Sequence, residues 1–165
     1  MVYVLVYSLW LKRLSTLGTT LGGIAGAVPP VAGYVAATNH LDMGAVILFF
    51  ILFFWQMPHF YAISIYRLKD FAAASLPVLP IKKNIRYTKI SMLVYIVAFT
   101  IAAVAPTFFG CAGLIYFIVA FCIGAVWLYL GIRGFRTQND AMWARRMFFF
   151  SIIGITILSI MMAVK

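Results

Sequence analysis

The sequence has few charged residues, and acids are the scarcest of them. Only 10% of its 165 residues are charged, and three acids stand against 13 lysines and arginines. Soluble domains carry about 25% charged residues, so this composition excludes an ordinary soluble domain. The acids, Asp42, Asp70 and Asp140, lie far apart and form no cluster in the sequence. The two cysteines, Cys111 and Cys122, are 11 residues apart in apolar stretches, a spacing without metal-motif character. We expect both to be small core residues.

Apolar residues are abundant. They make up 65% of the chain, and the mean hydropathy is +1.07. A membrane-spanning helix needs about 20 apolar residues, so the chain has room for about five spans. We therefore predict an all-α fold, a polytopic transmembrane helical bundle in the lipid bilayer that forms a single unit over residues 1–165. The predicted spans cover residues 17–37, 44–65, 90–109, 112–132 and 147–164.

A shorter apolar run, Val2–Leu11, precedes the first span. Its roughly 10 residues would rise only about 15 Å as a helix, half the thickness of the hydrocarbon core. The run has neither the basic start nor the small-residue cleavage site of a signal peptide. We interpret it as the end of a helix whose beginning is absent from this sequence.

The first span combines regularly spaced glycines with a double proline. Gly18, Gly22 and Gly26 form the small-residue pattern that lets helices pack closely in a membrane. Pro29 and Pro30 predict an interruption of the helix, which would have to face protein or a polar cavity. Two interpretations remain open, a kinked packing helix and the wall of a substrate cavity.

Basic residues occupy alternate connections between the predicted spans. The positive-inside rule places such connections in the cytoplasm, which puts Lys165 on the outer side. The net charge of +10 is therefore explained by membrane topology, and nucleic acid is not an expected partner. The basic connections contain Lys12 and Arg13, then Arg67, Lys69, Lys82, Lys83, Arg86 and Lys89, and finally Arg133, Arg136, Arg145 and Arg146.

The second span and the residues after it form the candidate site. At about 100° per residue, four side chains fall within about 60° of one another if the helix continues through Pro58. Ionisable residues in a membrane usually face the bundle interior, so the histidine among them should point inward. These four residues are Trp55, His59, Tyr66 and Asp70.

Simpler interpretations exist for the same residues. A histidine in a span is about as often a hydrogen-bonded structural residue as a ligand. The aromatic run from Phe49 to Trp55 is typical of a core or a lipid-facing surface, and the cations from Arg67 to Lys83 are typical of a topology signal. Pro77 and Pro80 exclude a continuous helix after the span and predict an ordered lid or re-entrant turn.

Asp70 stands alone among cations beside an apolar segment. A single carboxylate can provide one ligand to Mg²⁺, which commonly takes one or two carboxylates together with phosphate oxygens and water. The surrounding positive charge favours an anionic substrate, and the apolar segment favours a long apolar tail. A prenyl diphosphate has this combination of properties.

Five ordered motifs resemble those of the protohaem IX farnesyltransferases, the haem O synthases, which belong to the UbiA superfamily of intramembrane prenyltransferases. The resemblance implies transfer of a farnesyl group from farnesyl diphosphate to a vinyl group of haem B, giving haem O, in the bacterial inner membrane. It also suggests haem A synthase or the terminal oxidase assembly machinery as partners. The motifs are Gly26–Tyr34, Trp55–Phe60, Tyr66–Phe71, Pro77–Pro80 and Trp143–Arg146.

The resemblance suggests a role for each candidate residue. We expect Asp70 to form part of a magnesium site and the nearby cations to bind the diphosphate as a leaving group. His59 is expected to contact or ligate haem, although a structural role is about as well supported. The diphosphate-binding cations are Arg67 and Lys69, with Lys82 and Lys83 less directly, and Trp55 and Tyr66 complete the substrate-binding set.

The chain departs from the family pattern in its acids. Family members are bundles of about nine helices with two acidic motifs, and the first of these is missing here. The second lacks its partner acid, because Ala74 stands where it would follow Asp70. We therefore interpret the chain as the C-terminal half of such an enzyme and expect it to be inactive without the N-terminal half. The alternatives are another UbiA-type prenyltransferase, a non-catalytic module that handles haem or assists oxidase assembly, and a small transporter.

Overall fold

The computed structural model describes the backbone of residues 17–163 and the side chains of residues 22–163. Every regular element in that range is a helix. The predicted half helix Val2–Leu11, the basic pair Lys12 and Arg13, and Lys165 lie outside the described residues. The α-helices are α1 (Leu17–Thr38), α2 (Met43–Tyr66), α3 (Leu68–Ala73), α4 (Leu79–Lys82), α5 (Ile85–Phe108), α6 (Leu114–Arg133) and α7 (Asp140–Ala163), and a 3₁₀ turn covers Gly134–Arg136.

Four of the long helices have the length and composition of membrane spans. These are α2, α5, α6 and α7. Helix α1 is also long enough, with 22 residues, but its side chains are described only from Gly22 onward. The first of the five predicted spans is therefore a helix whose membrane crossing stays a prediction.

Two of these helices begin well before the predicted spans. Helix α5 starts at Ile85 and α7 at Asp140, whereas the apolar runs begin near residues 90 and 147. The reason is that a helix can extend past the hydrocarbon layer and carry charged residues in its first turns. Lys89 and Arg145 consequently lie on helices, and their side chains have helical neighbours.

The spans form a ring of four helices with α1 attached to one side. Helix α2 packs against α5 and α7, and α6 closes the ring by packing against the same two helices. Helix α1 contacts only α2 among the elements that the structure describes. The α5–α6 contact is close at Gly124, where a Cβ atom would overlap the Thr100 side chain. Phe99 and Trp127 fill the core beside it, with ring centroids 5.4 Å apart.

Helix α2 begins at a well-defined cap. The Asp42 carboxylate accepts hydrogen bonds from the Ala45 amide and from the Tyr34 hydroxyl, each at 3.1 Å. The bond from the Ala45 amide lowers the pKa of the Asp42 carboxyl. Asp42 therefore connects α1 to the start of α2, at the end of the bundle opposite Tyr66.

Two expectations from the sequence were wrong. Pro29 and Pro30 do not interrupt α1, which remains helical through both of them, and the two side chains are exposed. Cys111 and Cys122 are also exposed, so neither is a core residue in the described range. Cys111 lies in the turn before α6, and Cys122 lies on a face of α6 that no described helix covers.

Candidate active site

Of the four residues predicted to share one face of α2, three contact α7: Trp55, His59 and Tyr66. The Trp55 indole nitrogen donates a hydrogen bond to the carbonyl oxygen of Ser151 at 2.8 Å. The His59 ring stacks against the Trp55 ring, with centroids 4.9 Å apart, and lies 4.7 Å from the Phe148 ring. Helix α2 continues through Pro58, which is the condition under which these residues share one face. The result is an aromatic seam between α2 and α7, formed by Trp55, His59 and Phe148.

The hydrogen bonds of Ser151 define the tautomer of His59. The Ser151 hydroxyl donates to the Phe148 carbonyl oxygen at 2.6 Å and lies 2.7 Å from Nδ1 of His59. With the hydroxyl proton assigned to the bond with the Phe148 oxygen, the imidazole is assigned as the donor at Nδ1, and Nε2 then carries the lone pair. This arrangement holds the ring in place and leaves Nε2 as the atom able to accept a proton or coordinate a metal.

Tyr66 meets a cation that the sequence analysis treated as a topology signal. The guanidinium carbon of Arg145 lies 5.8 Å from the centroid of the Tyr66 ring and 5.7 Å from that of Phe149. These distances are within the range of cation–π attraction. Arg145 therefore belongs to the candidate site. The sequence feature that could have identified it is the Trp143–Arg146 motif, which contains it.

Asp70 does not lie on α2, so the prediction that it shares one face with Trp55, His59 and Tyr66 was wrong. Helix α2 ends at Tyr66, and Arg67 has backbone angles (φ −104°, ψ 32°) that separate it from α3. The carboxylate of Asp70 lies 3.8 Å from the Arg67 guanidinium, and the two side chains are 70% and 61% exposed. The turn at Arg67, rather than the helix, thus sets the direction of Asp70.

The connection after α3 folds back onto the bundle. Helices α3 and α4 contact each other and the end of α2, and α4 also packs against α5. The chain leaves the helical conformation before Pro77, as predicted, and Pro80 is buried in the single turn of α4. Lys69, Lys82 and Lys83 are exposed on this segment. The structure therefore brings Arg67, Asp70 and these lysines to one end of the bundle.

The donor set at this end is too small for a complete magnesium site. No group of three histidine, cysteine or acidic side chains in residues 17–163 could hold a metal ion. Asp70 is the one carboxylate of the α3–α4 segment, and position 74 is alanine. In the described residues, Asp70 could therefore supply at most one carboxylate to a bound magnesium ion.

A buried ion pair lies nearby, and sequence reasoning missed it. Lys89 was counted among the cations of the basic connections, but its side chain is only 8% exposed and pairs with Asp140. Its ammonium also donates to the Gly134 carbonyl oxygen at 2.7 Å and lies 5.0 Å from the Trp143 ring. Helical spacing could have revealed this buried position, because Lys89 shares the buried face of α5 with Met92, Ile96 and Phe99. Lys89 therefore joins the starts of α5 and α7 to the end of α6.

The aromatic run before Trp55 does not form a single wall. Phe49 stacks on Phe53, whereas Phe50 stacks on Phe54. Phe50 and Phe54 line an apolar groove of about 370 Å³ between α2 and α5, together with Ile47, Ala98, Ile101, Ala102 and Ala105. The aromatic residues thus spread around α2, and the groove lies beside its first half, away from Tyr66.

The chain was then compared with known proteins. The family described as the UbiA prenyltransferase family matches residues 1–153. A Protoheme IX farnesyltransferase of Protochlamydia amoebophila is 50% identical over 96% of this chain and 56% of its own length. Proteins of the same name from Serratia proteamaculans and Yersinia enterocolitica are 53% and 51% identical, each over 99% of this chain and 55% of their own length. No solved structure matches.

The chain thus spans about half the length of the curated relatives that it matches. The similarity nevertheless extends over nearly all of its own residues. Since the family match covers residues 1–153 and the four apolar helices suit a membrane, this chain is an integral membrane protein that belongs to the UbiA prenyltransferase family.

Proposed function

We propose that this chain is part of a protohaem IX farnesyltransferase, which transfers the farnesyl group of farnesyl diphosphate to a vinyl group of haem B and so makes haem O. The observation that carries the proposal is the identity of 50–53% to relatives of that name over at least 96% of the chain. The arrangement of the candidate site supports it, because a group of cations with one carboxylate lies next to an aromatic seam.

The cations at the end of α2 suit the diphosphate. Arg67 and Lys69 would bind the diphosphate oxygens, and Lys82 and Lys83 would approach from α4 and its end, which pack against α2. Positive charge held at this position stabilises the negative charge that develops on a departing diphosphate. These residues would therefore lower the barrier to ionisation of the allylic substrate.

The reaction itself is an alkylation of an alkene. The bond between the allylic carbon and oxygen breaks with its electron pair leaving on diphosphate, and the vinyl π electrons form the new carbon–carbon bond. Water adds to the resulting cation and releases a proton, which gives the hydroxyethylfarnesyl side chain. Trp55 and Tyr66 would shield the cationic species, because aromatic faces attract positive charge.

His59 has two roles consistent with its contacts. Its hydrogen bond to Ser151 and its packing between Trp55 and Phe148 stabilise the α2–α7 seam. Its Nε2 lone pair would also allow contact with the haem iron. The first role requires nothing beyond the described residues, and the second is the proposal.

Magnesium would be held only in part by this chain. Asp70 would supply one ligand, and a bound Mg²⁺ would neutralise charge on the diphosphate. The remaining carboxylates must come from outside the described residues, because Asp42 caps the far end of α2 and Asp140 pairs with Lys89. We propose that the N-terminal half of the enzyme carries them.

This division predicts that residues 1–165 alone are inactive. The purified chain in lipid nanodiscs, given farnesyl diphosphate, haem B and magnesium, is expected to form no haem O, because it lacks the carboxylates that we assign to the N-terminal half. Pigment extraction and chromatography would measure the product. Adding the N-terminal half of the Serratia relative is expected to restore turnover. Clear turnover by the chain alone would contradict the division.

The membrane orientation is a second expectation. We propose that the enzyme lies in the bacterial inner membrane with the Arg67–Lys89 segment in the cytoplasm, because cytoplasmic loops are enriched in lysine and arginine. A phosphatase reporter fused after Lys165 should be active, and the same reporter inserted near Lys83 should be silent. A green fluorescent reporter should give the opposite pattern. Reversed signals at both positions would refute this orientation.

A further inference from the structure

Arg145 carries a charge that no described acid neutralises. Its contacts are the rings of Tyr66 and Phe149. Asp70 pairs with Arg67, and Asp140 pairs with Lys89. The third acid, Asp42, caps the opposite end of α2. The guanidinium of Arg145 therefore lies beside two aromatic rings, and its hydrogen-bond donors remain available for an anion.

The position of Arg145 relates it to the aromatic seam rather than to the α3–α4 segment. Arg145, Phe148 and Ser151 follow one another at three-residue intervals on α7, and each of them contacts α2. Their partners there are Tyr66, His59 and Trp55. Tyr66 and Phe149 remain 36% and 50% exposed, so aromatic surface next to the guanidinium is accessible.

We propose that Arg145 binds the propionate carboxylates of the haem acceptor, an inference that rests on the proposed function. Haem is a flat, largely apolar ring with both carboxylates on one edge. The exposed rings of Tyr66 and Phe149 offer the stacking surface, and Arg145 offers two parallel N–H groups that match a carboxylate. His59 lies two helical turns from Tyr66, about 10.5 Å along α2, on the side toward the middle of the membrane span. This geometry would direct the propionates to the end of the bundle and the porphyrin ring toward His59.

The test compares two porphyrins that differ only at the propionates. Ferric protohaem and its dimethyl ester are titrated by absorbance into the purified protein in lipid nanodiscs, with empty nanodiscs as the background. The wild-type protein is expected to bind protohaem about tenfold more tightly than the ester, because a charge-assisted bidentate pair is lost on esterification. Arg145→Gln should remove that preference, whereas Arg145→Lys should keep part of it.

The adjacent arginine provides a matched control. Arg146 is exposed, and its Nη2 contacts the sulfur of Met142 at 3.8 Å rather than the aromatic seam. Arg146→Gln removes the same charge from the same helical turn and should leave the preference for protohaem unchanged. Circular dichroism of each variant establishes that the helices are intact.

Three results would overturn the assignment. Arg145→Gln could retain the preference, or it could weaken binding of both porphyrins equally, which indicates a structural role. Inorganic diphosphate could instead displace protohaem from the wild type and not from Arg145→Gln, which would show that Arg145 belongs to the diphosphate site.

Failure of the proposed function would give a different result, because the wild type would then bind neither porphyrin. If the protein binds both porphyrins equally and makes haem O once completed with the N-terminal half of a relative, only the Arg145 assignment is removed.

Discussion

Asp70→Asn is expected to reduce haem O formation by about a hundredfold or more, the effect of losing a few kcal/mol of transition-state stabilisation. The substitution keeps the shape of the side chain and removes the charge proposed to hold magnesium. Stability should hardly change, because Asp70 and Arg67 are 70% and 61% exposed, and surface pairs contribute less than about 1 kcal/mol. The measurement is turnover by the protein completed with the N-terminal half of a relative, normalised to folded enzyme.

Asp42→Asn is the matched control for that experiment. It makes the same chemical change at the opposite end of α2, and asparagine caps helices about as well as aspartate. Its turnover should stay close to that of the wild type. Asp140 is unsuitable as a control because it pairs with buried Lys89. Equal losses in Asp70→Asn and Asp42→Asn would place the site elsewhere.

Asp140→Ala is expected to destabilise the fold by about 3 kcal/mol, the lower end of the range for breaking a buried ion pair. The side chain of Lys89 is 8% exposed and would keep its charge without its carboxylate partner. The lower end applies because the side chain of Asp140 is 32% exposed, so water would compensate part of the loss. Equilibrium unfolding in detergent micelles measures the difference.

Two further variants separate the ion pair from simple loss of packing. The double variant Lys89→Met, Asp140→Ala removes both charges and should recover most of the lost stability, because an apolar side chain needs no partner in the buried site. Arg67→Ala breaks the exposed pair with Asp70 and should cost less than about 1 kcal/mol. If Asp140→Ala were as stable as Arg67→Ala, the Lys89–Asp140 pair would not join the three helices as described.

The fold class was predictable because its evidence is local in the sequence. Apolar runs long enough to cross a membrane predicted α2, α5, α6 and α7, and proline at 77 and 80 predicted the break after α3. Helical periodicity also placed Trp55, His59 and Tyr66 on one face. Asp70 escaped the same reasoning, because a single non-helical residue, Arg67, changes the direction of the chain.

What the sequence by itself determined is therefore the membrane class, the helices and the one-sided distribution of cations, since each depends on composition or on residues within a few turns. Only the tertiary structure decided which cations serve which purpose. Lys89 and Arg145 look alike in the sequence, yet one is buried against Asp140 and the other lies over Tyr66. The physical reason is that the environment of a charge depends on partners 51 and 79 residues away, which helix packing brings together and no local pattern records.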